Sequence, residues 1–131
     1  MKFMVGYTDS PAAQRALQLA CRAAQNVRDT FIYVVATQET GSDKSMANKA
    51  YIEQKLQSAR DFLKNQNVPC ETVLLARGLD PGEDLVKFAN ENAVDHIFLG
   101  IERKSRTKKI LLGATTQFVL LKAPCPVTTT V

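Results

Sequence analysis

The segment KFMVGYTDSPAAQRALQLACRAA, residues 2–24, decides the fold class of this 131-residue chain. It begins with a short apolar run at 2–7, which is typical of a buried strand and ends at Thr8 and Asp9. Ser10 then provides a helix N-cap, and Pro11 stands at the first helical position. The following apolar residues recur at helical spacing and form one stripe: Ala13, Ala16, Leu17, Ala20 and Cys21 or Ala24. The segment therefore predicts a buried strand followed directly by a helix.

The same alternation continues along the rest of the chain. Further strands are predicted at 30–36, 71–76, 96–100 and 126–131. Helices are predicted over 46–65, 81–93 and about 113–121. Asp80 is the expected cap of the helix that Pro81 opens, and the apolar stripe of the second helix consists of Tyr51, Ile52, Leu56, Ala59, Phe62 and Leu63.

Strands without polar alternation, separated by helices, indicate a parallel sheet that is covered on both faces. Right-handed crossovers then give an open, doubly wound arrangement. We predict a single α/β domain over residues 1–131, with a five-stranded parallel sheet in the order 3-2-1-4-5 and helices on both faces.

Composition and charge restrict the kind of partner. With 45% hydrophobic and 23% charged residues, the chain is expected to fold as an ordinary globule. No apolar run is long enough for a bilayer and no signal-peptide pattern follows Met1, so we expect a cytoplasmic protein that does not bind membranes. Residues 100–131 hold six Lys/Arg and one acid, whereas the other 99 residues hold eleven and twelve. Such local positive charge indicates an anion site rather than a nucleic-acid surface.

Other candidate reactive residues point to structural roles. Cys21, Cys70 and Cys125 are widely spaced without a CxxC pair, which indicates buried thiols rather than disulfides or a zinc site. His96 begins a strand at the end away from the predicted crevice and is expected to be structural. No nucleophile–base pair or carboxylate dyad stands out, so efficient catalysis is not expected.

The predicted strand order brings two unusual strand ends together. Doubly wound sheets bind ligands at the carboxyl ends of strands, where the strand order reverses. Thr8 and Asp9 follow the first strand, and the segment GIERKSRTKKILLGATT, residues 100–116, follows the fourth. Gly100 allows close approach of a ligand to the backbone. Gly113 opens a helix whose first amides, on Ala114, Thr115 and Thr116, suit a phosphate. The alternative is a helix cap beside a solvated basic loop; the segment contains neither GK[ST] nor GxGxxG.

Residues 100–116 resemble the nucleotide loop of the universal stress proteins, written as G, two residues, G, nine residues, G, then Ser or Thr. Gly100, Arg103 and Gly113 fall on its three glycine positions. The resemblance covers the whole chain. VGYTDSPAAQRALQLA resembles the family's first strand, aspartate and alanine-rich helix, AVDHIFLG resembles the lead into its loop, and APCPV resembles the start of its last strand.

The resemblance implies a site, residue by residue. Asp9 and Thr8 would contact the adenosine part, and the backbone near Val34 would read the adenine edge. Gly100, Gly113 and the amides of Ala114, Thr115 and Thr116 would hold ribose and phosphates. Two family positions are altered, because Arg103 replaces the second glycine and Ala114 replaces the Ser or Thr. Glu102 adds a repulsive carboxylate. The missing hydroxyl of Ala114 costs roughly 1.5 to 3 kcal/mol, part of which Thr115 or Thr116 would recover.

The resemblance also implies a function. We expect a small stress-response protein that binds ATP, ADP or AMP, with or without magnesium, and acts as a sensor or modulator with at most slow, incidental ATP hydrolysis. A homodimer through the last strand, 127–131, and an unidentified protein partner are expected as well. The alternative is a family member that binds no nucleotide and acts as a protein-interaction dimer. An enzyme of the related adenylating folds would need a glycine- and serine-rich loop, which GYTDS at 6–10 does not supply.

Overall fold

The computed structural model describes residues 1–38, 45–101 and 112–131, without the side chains of 45–47. Strands and helices alternate throughout these ranges. Their order is β1 (Lys2–Gly6), α1 (Pro11–Gln25), β2 (Phe31–Thr37), α2 (Ser45–Asn65), β3 (Cys70–Leu75), α3 (Pro81–Glu91), β4 (His96–Gly100), α4 (Ala114–Lys122) and β5 (Val127–Thr130). The predicted alternation is confirmed, with most element ends within one or two residues of the expected ones.

The five strands form one parallel sheet in the order β3-β2-β1-β4-β5. This is the predicted order, so the strand order reverses between β1 and β4. In the register of the three central strands, Gly6 lies opposite Val35 of β2 and Leu99 of β4. The carboxyl ends of these strands therefore meet at one edge of the sheet.

Two apolar layers, one on each face of the sheet, form the core. On one face, α1 and α2 pack their apolar stripes against Val5, Val34 and Phe98. On the other face, residues of α3 and α4 pack against Met4, Val35 and Ile97. Successive strand residues point to opposite faces, so each central strand serves both layers. The prediction of helices on both faces is confirmed.

A close approach between α1 and β4 explains one of the glycines. A Cβ on Gly100 would stand 2.3 Å from the carbonyl carbon of Ala12 and 2.5 Å from the amide nitrogen of Ala13. These are backbone atoms at the start of α1, where Ser10 caps the helix by accepting a bond from the Ala13 amide at 3.1 Å. Gly100 is therefore required by helix packing. The expectation that a ligand approaches the Gly100 backbone stays a prediction.

Asp80 is at the predicted N-cap position, whereas the expectation for Tyr51 is wrong. Asp80 occupies the N-cap position of α3, but its side chain makes no capping bond; its carbonyl accepts the first helical bond from the Asp84 amide at 2.9 Å. Tyr51 does not join the apolar stripe of α2, because its side chain is 46% exposed. Leu56, Ala59 and Leu63 form the buried part of that stripe.

Two groups of polar contacts stabilise the periphery of the sheet. Asp84 of α3 is only 2% exposed and forms an ion pair with Arg77, with 2.5 Å between Asp84 Oδ1 and an Arg77 guanidinium nitrogen. Arg77 also contacts Glu91 at 2.7 Å. His96 Nε2 lies 2.6 Å from the Thr128 hydroxyl of β5, and its ring stacks on Phe98. These contacts agree with a structural role for His96.

Candidate functional site

A cavity of about 360 Å³ opens at the carboxyl ends of the strands, on the α3–α4 side of the sheet. We call it the strand-end cavity. Its volume is within the usual range for small-molecule sites, roughly 300 to 1,000 Å³. It is lined by Gly6, Tyr7, Thr8, Val35, Thr37, Pro81, Leu85, Leu99, Gly100, Ile101, Gly113, Ala114, Thr115 and Thr116. Apolar side chains of β2, α3 and β4 line one part of it, while hydroxyls and a helix start line the other.

The start of α4 supplies hydrogen-bond donors to this cavity. Gly113 is the N-cap, and its carbonyl accepts the first helical bond, from the Gln117 amide at 3.0 Å. The amides of Ala114, Thr115 and Thr116 precede that bond, so they lie in the turn whose amides have no partner within a helix. A helix start also carries a partial positive charge. This wall of the cavity is suited to an anionic group.

The surroundings of Gly113 differ from those of Gly100. Its backbone angles, φ −68° and ψ 164°, are ordinary extended values that any residue adopts. Among the described residues, no heavy atom lies within 4 Å of the position that a Cβ would take. Neither backbone conformation nor packing by the described residues therefore requires glycine at this position.

Six of the predicted site residues are brought together. Thr8, Gly100, Gly113, Ala114, Thr115 and Thr116 all line the strand-end cavity. The expectation that the ends of β1 and β4 contribute to one crevice is met by this geometry. Arg103, with Glu102 and the rest of the basic loop up to residue 111, lies outside the described residues.

The expectation for Val34 concerns its backbone and stays a prediction, while its side chain points away from the strand-end cavity. Val34 lies within β2, paired with Val5 on one side and Thr72 on the other, and its side chain is fully buried in the α1–α2 layer. The neighbouring residue points to the opposite face, and it is Val35, together with Thr37 at the end of β2, that lines the cavity. A shift of one residue along a strand changes the face completely.

The side chain of Asp9 contacts residues of α2. Its carboxylate faces α2, where it accepts a hydrogen bond from the Tyr51 hydroxyl and lies 3.7 Å from Lys55 Nζ. Asp9 lines a smaller cavity of about 210 Å³, together with these two residues and Ile52. This cavity shares Tyr7, Thr8 and Thr37 with the strand-end cavity, and the expected contact of Asp9 with adenosine stays a prediction. Asp9 does not cap α1 either, since Ser10 does so.

Sequence reasoning missed several lining residues. Thr37, Pro81, Leu85 and Ile101 all contribute to the cavity. Thr37 ends β2 and Ile101 follows β4, so the strand-end rule that selected Thr8 applies to both of them as well. Pro81 and Leu85 belong to α3, whose start reaches the cavity only through packing against α4. No local sequence signal indicates that contact.

Titratable groups around the cavity are few among the described residues. Burial raises the pKa of the Tyr7 phenol, whose oxygen accepts a bond from the Gln14 side chain. Away from the cavity, burial raises the pKa of each free thiol, on Cys21, Cys70 and Cys125. Over residues 1–38, 45–101 and 112–131, no group of three or more His, Cys, Asp or Glu side chains is placed to hold a metal ion. In the same ranges no helix is long and apolar enough to cross a membrane.

The fold and the strand-end cavity together define the class of protein. It is a doubly wound α/β domain in which the start of a helix, at the carboxyl ends of the strands, is suited to an anionic group. The family model described as the Universal stress protein family matches residues 1–130, and the chain belongs to this family. It is 27% identical to the universal stress protein Slr1230 of Synechocystis over 129 residues, which cover 98% of this chain and 42% of that protein. The chain thus spans less than half the length of that relative.

Solved structures of the family share the fold. A universal stress protein from Archaeoglobus fulgidus superimposes with a TM-score of 0.86 at 29% identity, covering 98% of this chain and 96% of that one. A universal stress protein from the same organism, solved in complex with dAMP, has a TM-score of 0.77 at 27% identity, with 98% and 94% covered. The second protein binds an adenine nucleotide.

Proposed function

We propose that this chain binds an adenine nucleotide, ATP, ADP or AMP, in the strand-end cavity and acts in the cytoplasm as a nucleotide-dependent stress-response sensor or modulator. The observation that carries the proposal is the helix start at Gly113, which opens onto the same cavity as Thr8 and Gly100. The Archaeoglobus fulgidus relative with dAMP supports it, because this chain has the same fold and 27% sequence identity to that protein.

The proposed binding mode follows from the two parts of the cavity. The base would lie on the apolar part formed by Val35, Leu85 and Leu99, where burial of an aromatic ring is favourable. The phosphates would accept bonds from the amides of Ala114, Thr115 and Thr116. The Thr115 and Thr116 hydroxyls would partly replace the donor that Ala114 lacks. Arg103 is proposed to add charge to the phosphate end, as the family pattern implies.

Magnesium is proposed only as a companion of the phosphates. The described residues around the cavity offer threonine hydroxyls and backbone carbonyls rather than clustered carboxylates. Magnesium commonly binds substrate phosphates and water with few protein ligands. ATP hydrolysis, where it occurs, is expected to be slow, because the described residues that line the cavity include no His, Asp, Glu or Lys general base.

Calorimetric titration with ATP, ADP and AMP tests the proposal, with Gly113→Val as the matched variant. A β-branched residue fits the extended backbone of Gly113, and its Cβ would meet no described residue within 4 Å, so the variant should fold. Its side chain would occupy space at the phosphate end. We expect measurable heat with the wild type and at least a tenfold loss in the variant. Absence of heat and of thermal stabilisation at millimolar nucleotide would refute the proposal.

We further propose that the chain forms a homodimer through residues 127–131. β5 is the last strand of the sheet, and edge strands expose unpaired backbone groups. The carbonyls of Pro126 and Thr130 accept bonds from β4, so the N–H groups of Val127 and Thr129 point away from the sheet. Leu121, which is 81% exposed on the neighbouring helix α4, would gain apolar burial in such a contact.

Light scattering over a dilution series tests this dimer. Thr129→Pro removes an outward N–H without removing a bond to β4, and edge strands tolerate proline. We expect it to give a folded monomer, while the control Thr129→Val remains dimeric. A wild-type monomer at every concentration, or a dimer that survives Thr129→Pro, would refute the interface. A dimer that binds no nucleotide would instead favour the alternative function, a protein-interaction module.

A further inference from the structure

A row of three residues crosses the sheet beneath the strand-end cavity, and its middle member has no side chain. Gly6 of β1 lies opposite Val35 of β2 and Leu99 of β4, and all three line the cavity. The side chains of Val35 and Leu99 belong to the layer on the α3–α4 face of the sheet. We call these three residues the cavity floor. The floor has a gap at Gly6, between two apolar side chains.

The side chain of Leu99 fills this gap. A Cβ on Gly6 would stand 2.5 Å from Leu99 Cδ2 and 3.6 Å from Leu85 Cδ1. Ordinary contacts between carbon atoms are roughly 3.5–4.0 Å, so Leu99 Cδ2 lies in the place that an alanine side chain at position 6 would need. Leu99 therefore leans over β1, and the space above it is left to the cavity.

We propose that Gly6 determines which nucleobase the site accepts, because it leaves the cavity deep enough for the two-ring base of a purine nucleotide. The inference rests on the proposed function, in which the phosphates lie at the start of α4 and the base lies on Val35, Leu85 and Leu99. With the phosphates held at α4, the six-membered ring of a purine is the part of the ligand that reaches farthest toward the floor. The single ring of a pyrimidine nucleotide ends before it.

A side chain at position 6 would reduce this depth. Leu99 Cδ2 would have to move by about 1 Å to reach an ordinary contact distance. Met4 and Ile97, which precede Gly6 and Leu99 by two residues on the same face, are 0% exposed and fill the layer toward the amino ends of the strands. The open space lies at the carboxyl ends, so the displaced methyl group moves toward the cavity.

The contact at Gly6 differs in kind from the contact at Gly100. The atom closest to the Cβ position of Gly6 is the end of a side chain, whereas the atoms closest to that of Gly100 belong to the backbone of α1. A leucine side chain can relieve the clash by changing between staggered rotamers. Gly6→Ala should therefore keep the fold and change the shape of the cavity.

Calorimetric titration with ATP and CTP tests the proposal, because the two ligands carry the same sugar and the same phosphates. In the wild type, ATP should bind at least about tenfold more tightly than CTP, since its second ring buries more apolar surface. In Gly6→Ala the affinity for ATP should fall by about tenfold or more, the effect of a methylene-sized change in an apolar pocket. The affinity for CTP should change by less than about threefold.

A second background isolates the part played by Leu99. Leu99→Val removes one carbon atom, so the double variant Gly6→Ala/Leu99→Val conserves the total side-chain volume of the floor. Leu99 Cγ lies 4.0 Å from the Cβ position of Gly6, an ordinary contact, and a valine side chain ends at its γ carbons. In the presence of Leu99→Val, the change Gly6→Ala should therefore weaken ATP binding by less than about threefold.

Gly82→Ala is the matched control for crowding outside the cavity. A Cβ on Gly82 would stand 2.9 Å from Phe118 Cβ in α4, but Gly82 is not among the described residues that line the strand-end cavity. Any movement of α4 affects the phosphates, which ATP and CTP share. The ratio of the ATP and CTP affinities should therefore stay as in the wild type.

The outcomes separate the floor from the site as a whole. Unchanged ATP affinity in Gly6→Ala, equal losses for ATP and CTP, or the same change of ratio in Gly82→Ala would overturn the inference while leaving nucleotide binding intact. A loss that Leu99→Val does not relieve would overturn the role of Leu99. If the wild type binds neither ligand, the proposed function fails and the inference fails with it.

Methyl NMR spectra of the free protein check the contact itself. The Leu99 methyl signals, assigned by their absence in Leu99→Val, should shift in Gly6→Ala, because the side chain changes its rotamer. The methyl signals of Leu17, which lies in the layer on the other face of the sheet, should stay in place. Leu99 signals that do not shift would contradict the displacement of Leu99.

Discussion

Gly100 and Gly113 provide a matched pair of alanine substitutions, of which only the first is expected to destabilise the fold strongly. In Gly100→Ala the new methyl group would stand 2.3 Å from Ala12 C and 2.5 Å from Ala12 O and Ala13 N. These atoms belong to the backbone of α1, so relief requires a movement of the helix start by about 1 Å to reach ordinary contact distances. Overpacking of this kind costs typically 1–3 kcal/mol, occasionally more.

Other contributions offset little of that cost. Burial of one methyl group would stabilise the fold by about 0.8 kcal/mol, but it needs space that α1 occupies. The lower conformational freedom of alanine in the unfolded chain stabilises the fold by about 0.4–1 kcal/mol. We expect Gly100→Ala to lower the free energy of unfolding by about 2 kcal/mol. Gly113→Ala meets no described atom within 4 Å and keeps an ordinary φ of −68°, so its change should stay within about 1 kcal/mol.

Urea unfolding followed by circular dichroism measures both variants. With a slope of about 1–3 kcal/mol/M, a loss of 2 kcal/mol lowers the midpoint by roughly 1 M. Equal midpoints for Gly100→Ala and the wild type would show that the start of α1 does not pack against the end of β4. A large loss in Gly113→Ala would show that Gly113 is required for packing, which would remove the argument that its open space serves a ligand.

Three further predictions concern the cavity and its support. Ala114→Ser restores a hydroxyl at the start of α4 and should tighten ATP binding by about fivefold, equivalent to about 1 kcal/mol, in calorimetry; unchanged affinity would place Ala114 away from the phosphates. Arg77→Met leaves the buried Asp84 carboxylate unpaired and should lower the free energy of unfolding in urea by about 2–3 kcal/mol. This is at the lower end of the range for buried ion pairs, because the Arg77 side chain is 30% exposed. The control Glu91→Gln, at the exposed end of the network, should cost less than about 1 kcal/mol, and equal losses would contradict this assignment. Burial lowers the pKa of His96 below its usual 6.5, so the unfolded chain binds more protons than the folded one, and the stability from neutral His96 is lost as the pH falls below that value. The free energy of unfolding should therefore differ less between about pH 7.5 and pH 5.0 in His96→Gln than in the wild type. Equal differences in the two proteins would show that His96 titrates normally.

The fold was largely predictable because its signals are local and repeated. Apolar runs mark β1 and β4, and Ser10 followed by Pro11 marks the start of α1, where the structure shows the expected capping bond. The alternation of strands and helices then restricts the topology to a few arrangements, and the order 3-2-1-4-5 is confirmed. The polar residues after β1 and β4 indicated the edge at which the strand-end cavity opens.

The features that the sequence did not predict depend on tertiary contacts between elements that are far apart in the chain. Tyr51 fits the helical period of α2, yet it contacts Asp9 instead of the core, because the orientation of α2 over the sheet is set by Leu56, Ala59 and Leu63. Val34 and Val35 are equally apolar, so only the pairing of β2 with its neighbours shows which of the two side chains faces the strand-end cavity. Gly100 packs against the start of a helix that begins at Pro11, 89 residues earlier in the sequence, and no local pattern indicates such a contact.

Titration of ¹⁵N-labelled protein with ATP tests the central claim most directly, because it reports both binding and its location. The account predicts that the amide signals of Ala114, Thr115 and Thr116, together with those of Gly100 and Thr37, shift progressively and saturate. It predicts no comparable shift at the opposite end of the sheet, for example at Asn67 and Val68. Amide signals around the strand-end cavity that stay unchanged at millimolar ATP, or shifts confined to another surface, would contradict nucleotide binding in the strand-end cavity.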